Sequence, residues 1–184
     1  MSPSSADLFP ALNWKRRSKA AGFHLLLSAT VALLAAACVF FLWFPYPYRE
    51  ISGGRSLFTL VVIVDIVLGP LLTWVVFDVR KPRSELVRDL AVIALIQVAA
   101  LAYGLFSVYE ARPVFLVHEV DRFVVISAAD VDPVDLPKAL PEFQHLPFFG
   151  VKLIGVRDSK DGAERLRSPE LAITGKDRSM RPEY

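Results

Sequence analysis

The chain has 184 residues, of which 54% are hydrophobic and 22% are charged. Its mean hydropathy of +0.43 is too high for an ordinary soluble domain of this size. The formal net charge is only +2 and the basic residues cluster beside apolar runs, so the charge pattern does not indicate a nucleic-acid partner. The single cysteine of this sequence, Cys38, excludes a disulfide or a thiolate metal cluster within it.

The N-terminal segment, residues 1–20, is predicted to be a basic cytoplasmic tail. It ends in four basic residues, Lys15, Arg16, Arg17 and Lys19, directly before an apolar run at residues 22–44. A cleaved lipoprotein signal is the alternative, because residues 34–38 (LAAAC) resemble a cleavage box. Ala35 stands where that box has a larger aliphatic residue, and apolar residues follow Cys38. The sequence therefore favours an uncleaved membrane span.

Two further apolar runs are long enough to cross a bilayer. Residues 57–77 would form a helix about 31 Å long at about 1.5 Å per residue, and residues 90–108 a shorter one. The two loops predicted to be cytoplasmic carry four basic residues each, against two in the loop between the first two spans. By the positive-inside rule, residues 21–111 form a three-helix transmembrane domain with a cytoplasmic N-terminus. In a Gram-negative bacterium the C-terminus is then periplasmic.

The remaining residues predict a small α+β segment at 112–156. Two strand-like runs flank a polar turn and predict a β-hairpin, and residues 148–156 predict a third strand. Asp132 before Pro133 predicts the start of a short helix, which Pro137 and Pro141 limit to a turn or two. Residues 157–184 contain 13 charged residues among 28, so we expect a poorly ordered tail. The predicted fold class is an integral membrane, mainly α protein: three transmembrane helices followed by a small α+β extracytoplasmic segment.

Asp65 is the one charged residue in the second apolar run. A carboxylate near the centre of a membrane costs on the order of 2.5 to 3.5 kcal/mol, so it needs a partner. Gln97 and Tyr103 in the third run lie at comparable depths, and we predict that the three form an intramembrane polar cluster that packs the helices. Direct recognition of a partner, or a proton or ion relay, is the alternative. Gly69 and Pro70 follow one turn after Asp65 and predict a kink, because proline has no N–H to donate within the helix.

The end of the third span is a second candidate site. Pro113 stops the helix and the hairpin begins at once, so Arg112 and Pro113 are predicted to form a rigid joint. The hairpin turn is Asp121, Arg122 and Phe123. At the membrane interface the Arg112 guanidinium would reach lipid phosphate or a nearby carboxylate. An ordinary interfacial anchor is the alternative.

No pattern in the sequence predicts catalysis or metal binding. The three histidines, His24, His118 and His145, lack metal-ligand spacing. The aspartates at 130, 132 and 135 lack the glycine and the glutamate of a calcium loop. We therefore predict no metal site, no cofactor and no enzymatic activity.

Three segments resemble a known family. DIVLGPLLT at residues 65–73, DLAVIALIQVAALAYGL at 89–105 and ARPVFLVHEVDRF at 111–123 are similar to the type IV pilin accessory proteins of the TfpX/TfpZ group. The resemblance implies a multi-pass protein of the bacterial inner membrane that assists pilin stability or pilus assembly by binding pilin. Its partners would be membrane lipid, type IV pilin and, as further candidates, other pilus assembly proteins.

In this interpretation the three helices dock the hydrophobic helix of a pilin and the hairpin contacts its globular part. Small residues of the third span would let another helix approach closely: Ala99, Ala100, Ala102 and Gly104. The alternative is a membrane enzyme or transport subunit that acts on a pilin-linked or lipid-linked substrate.

Overall fold

The computed structural model describes residues 14–78, 80–119, 121–163, 165–166, 173 and 177–184. The helices and strands are, in order, α1 (Trp14–Cys38), α2 (Tyr48–Ile51), α3 (Gly54–Val76), α4 (Arg83–Glu110), β1 (Pro113–Glu119), β2 (Arg122–Ser127) and β3 (Lys152–Gly155). A π-helical turn, Val39–Trp43, extends α1. Helices α1, α3 and α4 are long and apolar enough to cross a membrane, and the strands form one small sheet. The predicted fold class is confirmed.

The chain divides into two compact units. The first contains the described residues of Met1–Ala35 and Thr59–Gly104, and the second those of Ala36–Phe58 and Leu105–Tyr184. Each long helix begins before its predicted span, at Trp14, Gly54 and Arg83. The helices extend past the apolar runs because a helix is not limited to the hydrocarbon core: its hydrogen bonds continue through the polar residues beside it.

The first unit consists of most of α1, α3 and α4. The end of α1, the start of α3 and the end of α4 belong to the second unit. Gly104 allows α4 to pack closely on α3, since a Cβ at this position would lie 2.6 Å from a methyl carbon of Val61. The rings of Trp14 and Trp74 meet edge to face at 5.1 Å. Helix α3 is assigned without a break through Pro70. The bend predicted there stays a prediction.

The second unit contains a three-stranded sheet with the order β2-β1-β3. Strand β1 pairs antiparallel with β2, with Leu116 opposite Val125, and parallel with β3, with Leu116 beside Leu153. The core lies mainly on central strand β1 and on the segment after β2, where the buried residues are Val114, Phe115, Val117, Ile126, Ala128 and Val131. This arrangement confirms the predicted hairpin.

One local prediction for the segment after β2 needs correction. The third strand is shorter than the predicted 148–156, because Phe148 and Phe149 pack on aromatic rings and Gly150 has a φ of +68°. The short helix predicted after Asp132, which Pro137 and Pro141 limit to a turn or two, takes the form of two 3₁₀ turns, Leu136–Lys138 and Pro141–Phe143. Proline cannot donate the backbone hydrogen bond that a longer helix requires.

The tail predicted at 157–184 is only partly described. Residues 164, 167–172 and 174–176 lie outside the described residues. Residues 177–184 are described, and the ring of Tyr184 lies between 4.4 and 4.8 Å from three guanidinium carbons, those of Arg157, Arg178 and Arg181. The backbone N–H of Arg157 also donates to the Tyr184 carbonyl at 2.9 Å. These contacts hold the end of the described chain beside β3.

Candidate functional site

A groove of about 370 Å³ opens in the first unit between α1 and α4, and we call it the α1–α4 groove. Helix α3 contributes only Asp65 and Thr73 to it, and both are polar. Its α1 side is lined by Ala20, Phe23, His24, Leu27, Ser28 and Val31, and its α4 side by Leu90, Ala94, Gln97, Val98 and Leu101. The groove is therefore apolar along its sides and carries a few polar groups, as ligand-binding clefts commonly do.

His24 and Thr73 pair with each other in this groove. The Nδ1 atom of His24 lies 2.6 Å from the Thr73 hydroxyl, which is almost fully buried, at 2% exposed. Sequence reasoning considered His24 only as a metal ligand and missed Thr73. One signal was available, because Asp65, Gly69 and Thr73 are spaced by four residues and such residues form one ridge of a helix.

Gln97 reaches across from α4 to the backbone of α3. Its Nε2 donates to the Asp65 carbonyl at 3.4 Å, a long hydrogen bond. Gly69 makes this approach possible, since a Cβ at this position would overlap the Gln97 amide. The other amide atom, Oε1, is buried and has no hydrogen-bond partner among the described residues. Gly69 thus provides space for the Gln97 side chain, a role that the predicted kink did not include.

The Asp65 carboxylate lines the groove, and the described part of the chain supplies it with no hydrogen bond or ion pair. The structure therefore brings Asp65 and Gln97 together through the Asp65 backbone and not through its carboxylate. Tyr103 does not line the groove and is 74% exposed. The packing role predicted for these three residues stays a prediction.

Arg112 occupies a buried position in the second unit. It is only 4% exposed, its guanidinium carbon lies 3.6 Å from the centroid of the Tyr109 ring, and Nη1 donates to the Tyr109 carbonyl at 2.8 Å. Burial lowers the pKa of Arg112, and Tyr109 and Glu110 oppose that shift. The guanidinium thus contacts an aromatic ring. The sequence had suggested lipid phosphate or a carboxylate as its partner. Glu119, a carboxylate near Arg112 in sequence, pairs with Arg122 at 2.8 Å.

The residues predicted as one joint and turn divide into two groups. Pro113 is fully buried and pairs with Ser127, and the Arg112 carbonyl accepts the Ala128 N–H at 2.9 Å, so Arg112 and Pro113 attach the end of α4 to the sheet. The turn is exposed, and its residues are Asp121, Arg122 and Phe123. Glu119 raises the pKa of Arg122 across this turn, and the Phe123 ring lies 4.9 Å from His118.

An aromatic cluster adds a second attachment between the helix ends and the sheet segment. The Tyr109 ring lies 5.1 Å from Trp43 and 5.7 Å from Phe148. The Gly150 N–H donates to the carbonyl of Leu42 at 3.2 Å. Sequence reasoning assigned Phe148 to a strand and missed this cluster, although aromatic residues at helix ends are a known interfacial pattern.

The second unit also contains a cavity of about 470 Å³ beside residues 178–184. Its polar rim is mainly cationic, with five basic side chains, Lys138, Arg157, Lys160, Arg178 and Arg181. Across the described residues, no group of three histidine, cysteine, aspartate or glutamate side chains is placed to hold a metal ion.

Comparison with known proteins identifies the family. A family model described as "Fimbrial assembly protein FimB" matches residues 12–53. The fimbrial assembly protein of Dichelobacter nodosus serogroups C1 and C2 is 41% identical over 122 residues, which are 66% of this chain and 93% of that protein. The chain belongs to the fimbrial assembly protein family. This confirms, at the level of the family, the resemblance found in the sequence.

Longer relatives match more of the chain. The fimbrial assembly proteins of Dichelobacter nodosus serogroups I and E1 are 43% and 41% identical over 165 residues, which are 90% of this chain. The chain spans 64% of the length of each of these two relatives. No solved structure matches the chain.

Proposed function

We propose that this chain is an accessory protein of type IV pilus assembly in the bacterial inner membrane, and that it acts by binding pilin and not by catalysis. Its N-terminus lies in the cytoplasm and its sheet segment in the periplasm. Family membership supports the process, since the relatives are fimbrial assembly proteins. The distribution of basic residues, four and four against two, supports the orientation.

The observation that carries the proposal is how little the three membrane helices cover one another. In the apolar windows of α1, α3 and α4, only 11%, 11% and 17% of the residues are buried. Most of their apolar surface therefore faces lipid or another membrane helix. Helix association in lipid depends on close packing of small residues, and α4 has Ala99, Ala100 and Ala102 exposed. Gly104, which the sequence also offered to a partner, packs on Val61 within the unit.

The sheet segment offers a contact outside the membrane. Phe123 at the hairpin turn is 62% exposed, and Arg122 beside it carries a positive charge. An exposed aromatic ring next to an arginine is typical of residues that contribute strongly to protein interfaces. We assign this turn to the globular part of the pilin, and the membrane helices to its hydrophobic helix.

In-cell photocrosslinking tests the proposal. A photoreactive amino acid replaces Ala99 in one variant and Phe123 in another, each in the full chain and in cells that make pili. Capture of pilin from both positions is the expected result. Capture of lipid-linked sugar without pilin would favour the alternative, a membrane enzyme or transport subunit, and would refute the proposal.

A further inference from the structure

We propose that the α1–α4 groove binds one transmembrane helix of the partner, and that this helix presents a hydrogen-bond donor to the Asp65 carboxylate. The inference rests on the proposed function and adds the face, the residues and the chemistry of recognition. It follows from three features of the groove: its unsatisfied acceptors, its length and its charge.

The first feature is an excess of acceptors. The Asp65 carboxylate has no hydrogen-bond partner among the described residues, and Asp65 lines the groove. The Gln97 Oε1 atom is also unpaired among these residues, but it is buried beside Gly69, so the Asp65 carboxylate is the acceptor that an occupant can reach. His24 and Thr73, in contrast, already satisfy one another at 2.6 Å. Lipid acyl chains supply no donor, and polar groups left unpaired in hydrocarbon are costly. The missing component is therefore a group that donates hydrogen bonds.

The second feature is the shape of the groove. Its lining runs along α1 from Ala20 to Val31 and along α4 from Leu90 to Leu101. Each stretch corresponds to about 16 Å, or three turns of helix. Most lining side chains are aliphatic or aromatic, so the occupant must be apolar along the same length and polar near Asp65. A transmembrane helix with one donor-bearing side chain meets these requirements.

The third feature concerns charge. The strongest hydrogen bonds to a carboxylate come from a cationic group. The three apolar runs of this chain, residues 22–44, 57–77 and 90–108, contain no lysine or arginine. A second copy would therefore bring no lysine or arginine from these runs to Asp65, and its one histidine there, His24, already pairs with Thr73. The occupant that the groove fits is a helix of a different protein.

Paired crosslinking positions on the same helices test the face. Leu27 on α1 and Val98 on α4 line the groove, whereas Leu26 and Leu95 are exposed neighbours that do not. The photoreactive residue is placed at each of the four positions in the full chain, in piliated cells. Capture of pilin from positions 27 and 98, and much less from 26 and 95, is expected. Equal capture from all four positions, or capture of a second copy of this chain or of lipid alone from the groove, would overturn the inference.

Substitution of the carboxylate tests the chemistry. Asp65→Leu should lower capture from positions 27 and 98 by about three- to thirtyfold, the range that corresponds to interhelical hydrogen bonds. Asp65→Asn, which keeps an acceptor oxygen, should lose less. The amount of each variant in the membrane is measured in parallel. A second variant, Gln97→Leu, removes the other polar side chain near Asp65 and leaves Asp65 itself in place. Unchanged capture in a well-inserted Asp65→Leu variant would refute the role of Asp65.

The two proposals fail differently. Capture of pilin from Ala99 and Phe123, with no preference for the groove positions, would remove the groove and leave the proposed function standing. Absence of pilin at every position would remove both.

Discussion

Replacement of Arg112 by lysine tests how the end of α4 is attached to the sheet. Arg112 is 4% exposed, its guanidinium carbon lies 3.6 Å from the centroid of the Tyr109 ring, and Nη1 donates to the Tyr109 carbonyl at 2.8 Å. A desolvated cation–π contact contributes about 2 kcal/mol, and a hydrogen bond from a charged group about 1.5 to 3 kcal/mol. Lysine keeps the charge and can replace part of the hydrogen bond, but it lacks the planar group that stacks on the ring. We expect Arg112→Lys to cost about 2 kcal/mol.

Thermal unfolding of the purified full chain in detergent is the assay. A loss of about 2 kcal/mol corresponds to a decrease in Tm of about 4 to 8 °C for a chain of this size. Arg122→Lys is the matched control, because Arg122 is exposed and its surface ion pair with Glu119 contributes about 1 kcal/mol or less. Tyr109→Phe keeps the ring and should stay close to the original Tm. Tyr109→Leu also removes the ring contacts with Trp43 and Phe148, so it should lower the Tm at least as much as Arg112→Lys.

Equal shifts for Arg112→Lys and Arg122→Lys would refute this reasoning, since they would show that the stacked geometry contributes nothing beyond charge. A normal Tm for Tyr109→Leu would refute it independently. Arg112→Lys should also lower pilin capture from Phe123 without lowering the amount of protein in the membrane. Normal capture would show that the sheet segment works without a fixed joint.

Three further predictions concern the membrane helices and their loops. Gly69→Leu should force the Gln97 amide away from α3 and lower the Tm in detergent, whereas Gly22→Leu, in open space, should not. The hydrogen bonds from Arg80 lower the pKa of Asp78 to about 2. The stability that this pair contributes is therefore present above about pH 4 and is lost as the pH falls towards 2. Asp78→Asn should remove this pH dependence from the unfolding profile. Alkaline phosphatase should be inactive when fused between α3 and α4 and active when fused after β2, and the reverse pattern would contradict the proposed orientation.

The helices and the hairpin were predictable because their signals are local. Long apolar runs define α1, α3 and α4, and two short strand-like runs on either side of a polar turn define β1 and β2. Strand β3 was predicted too long because Phe148 and Phe149 are apolar and apolar residues are expected in a strand. In the structure these two residues pack on aromatic rings instead. Only the three-dimensional position of Tyr109 distinguishes the two arrangements.

The candidate site was predictable in part for a related reason. A carboxylate in an apolar run is conspicuous, so Asp65 was found, and an amide in the next run pointed to Gln97. A threonine costs little in a membrane helix, so nothing in composition singled out Thr73 as the partner of His24. For Arg112 the position was found but not its contact. Tyr109 lies in the last turn of α4 and Arg112 lies just after the helix, and an arginine so close in sequence to an aromatic residue could have suggested the stacked arrangement.

Direct binding in lipid nanodiscs tests the central claim, that this chain acts by holding a pilin. The full chain and the full-length major pilin of the same cell are reconstituted together and their association is measured by energy transfer between labels. We predict saturable binding of the pilin, and weaker binding when the chain carries Asp65→Leu. A polyleucine control helix as long as the hydrophobic helix of the pilin should not bind in this way. Pilin binding no stronger than that of the control helix would contradict the account.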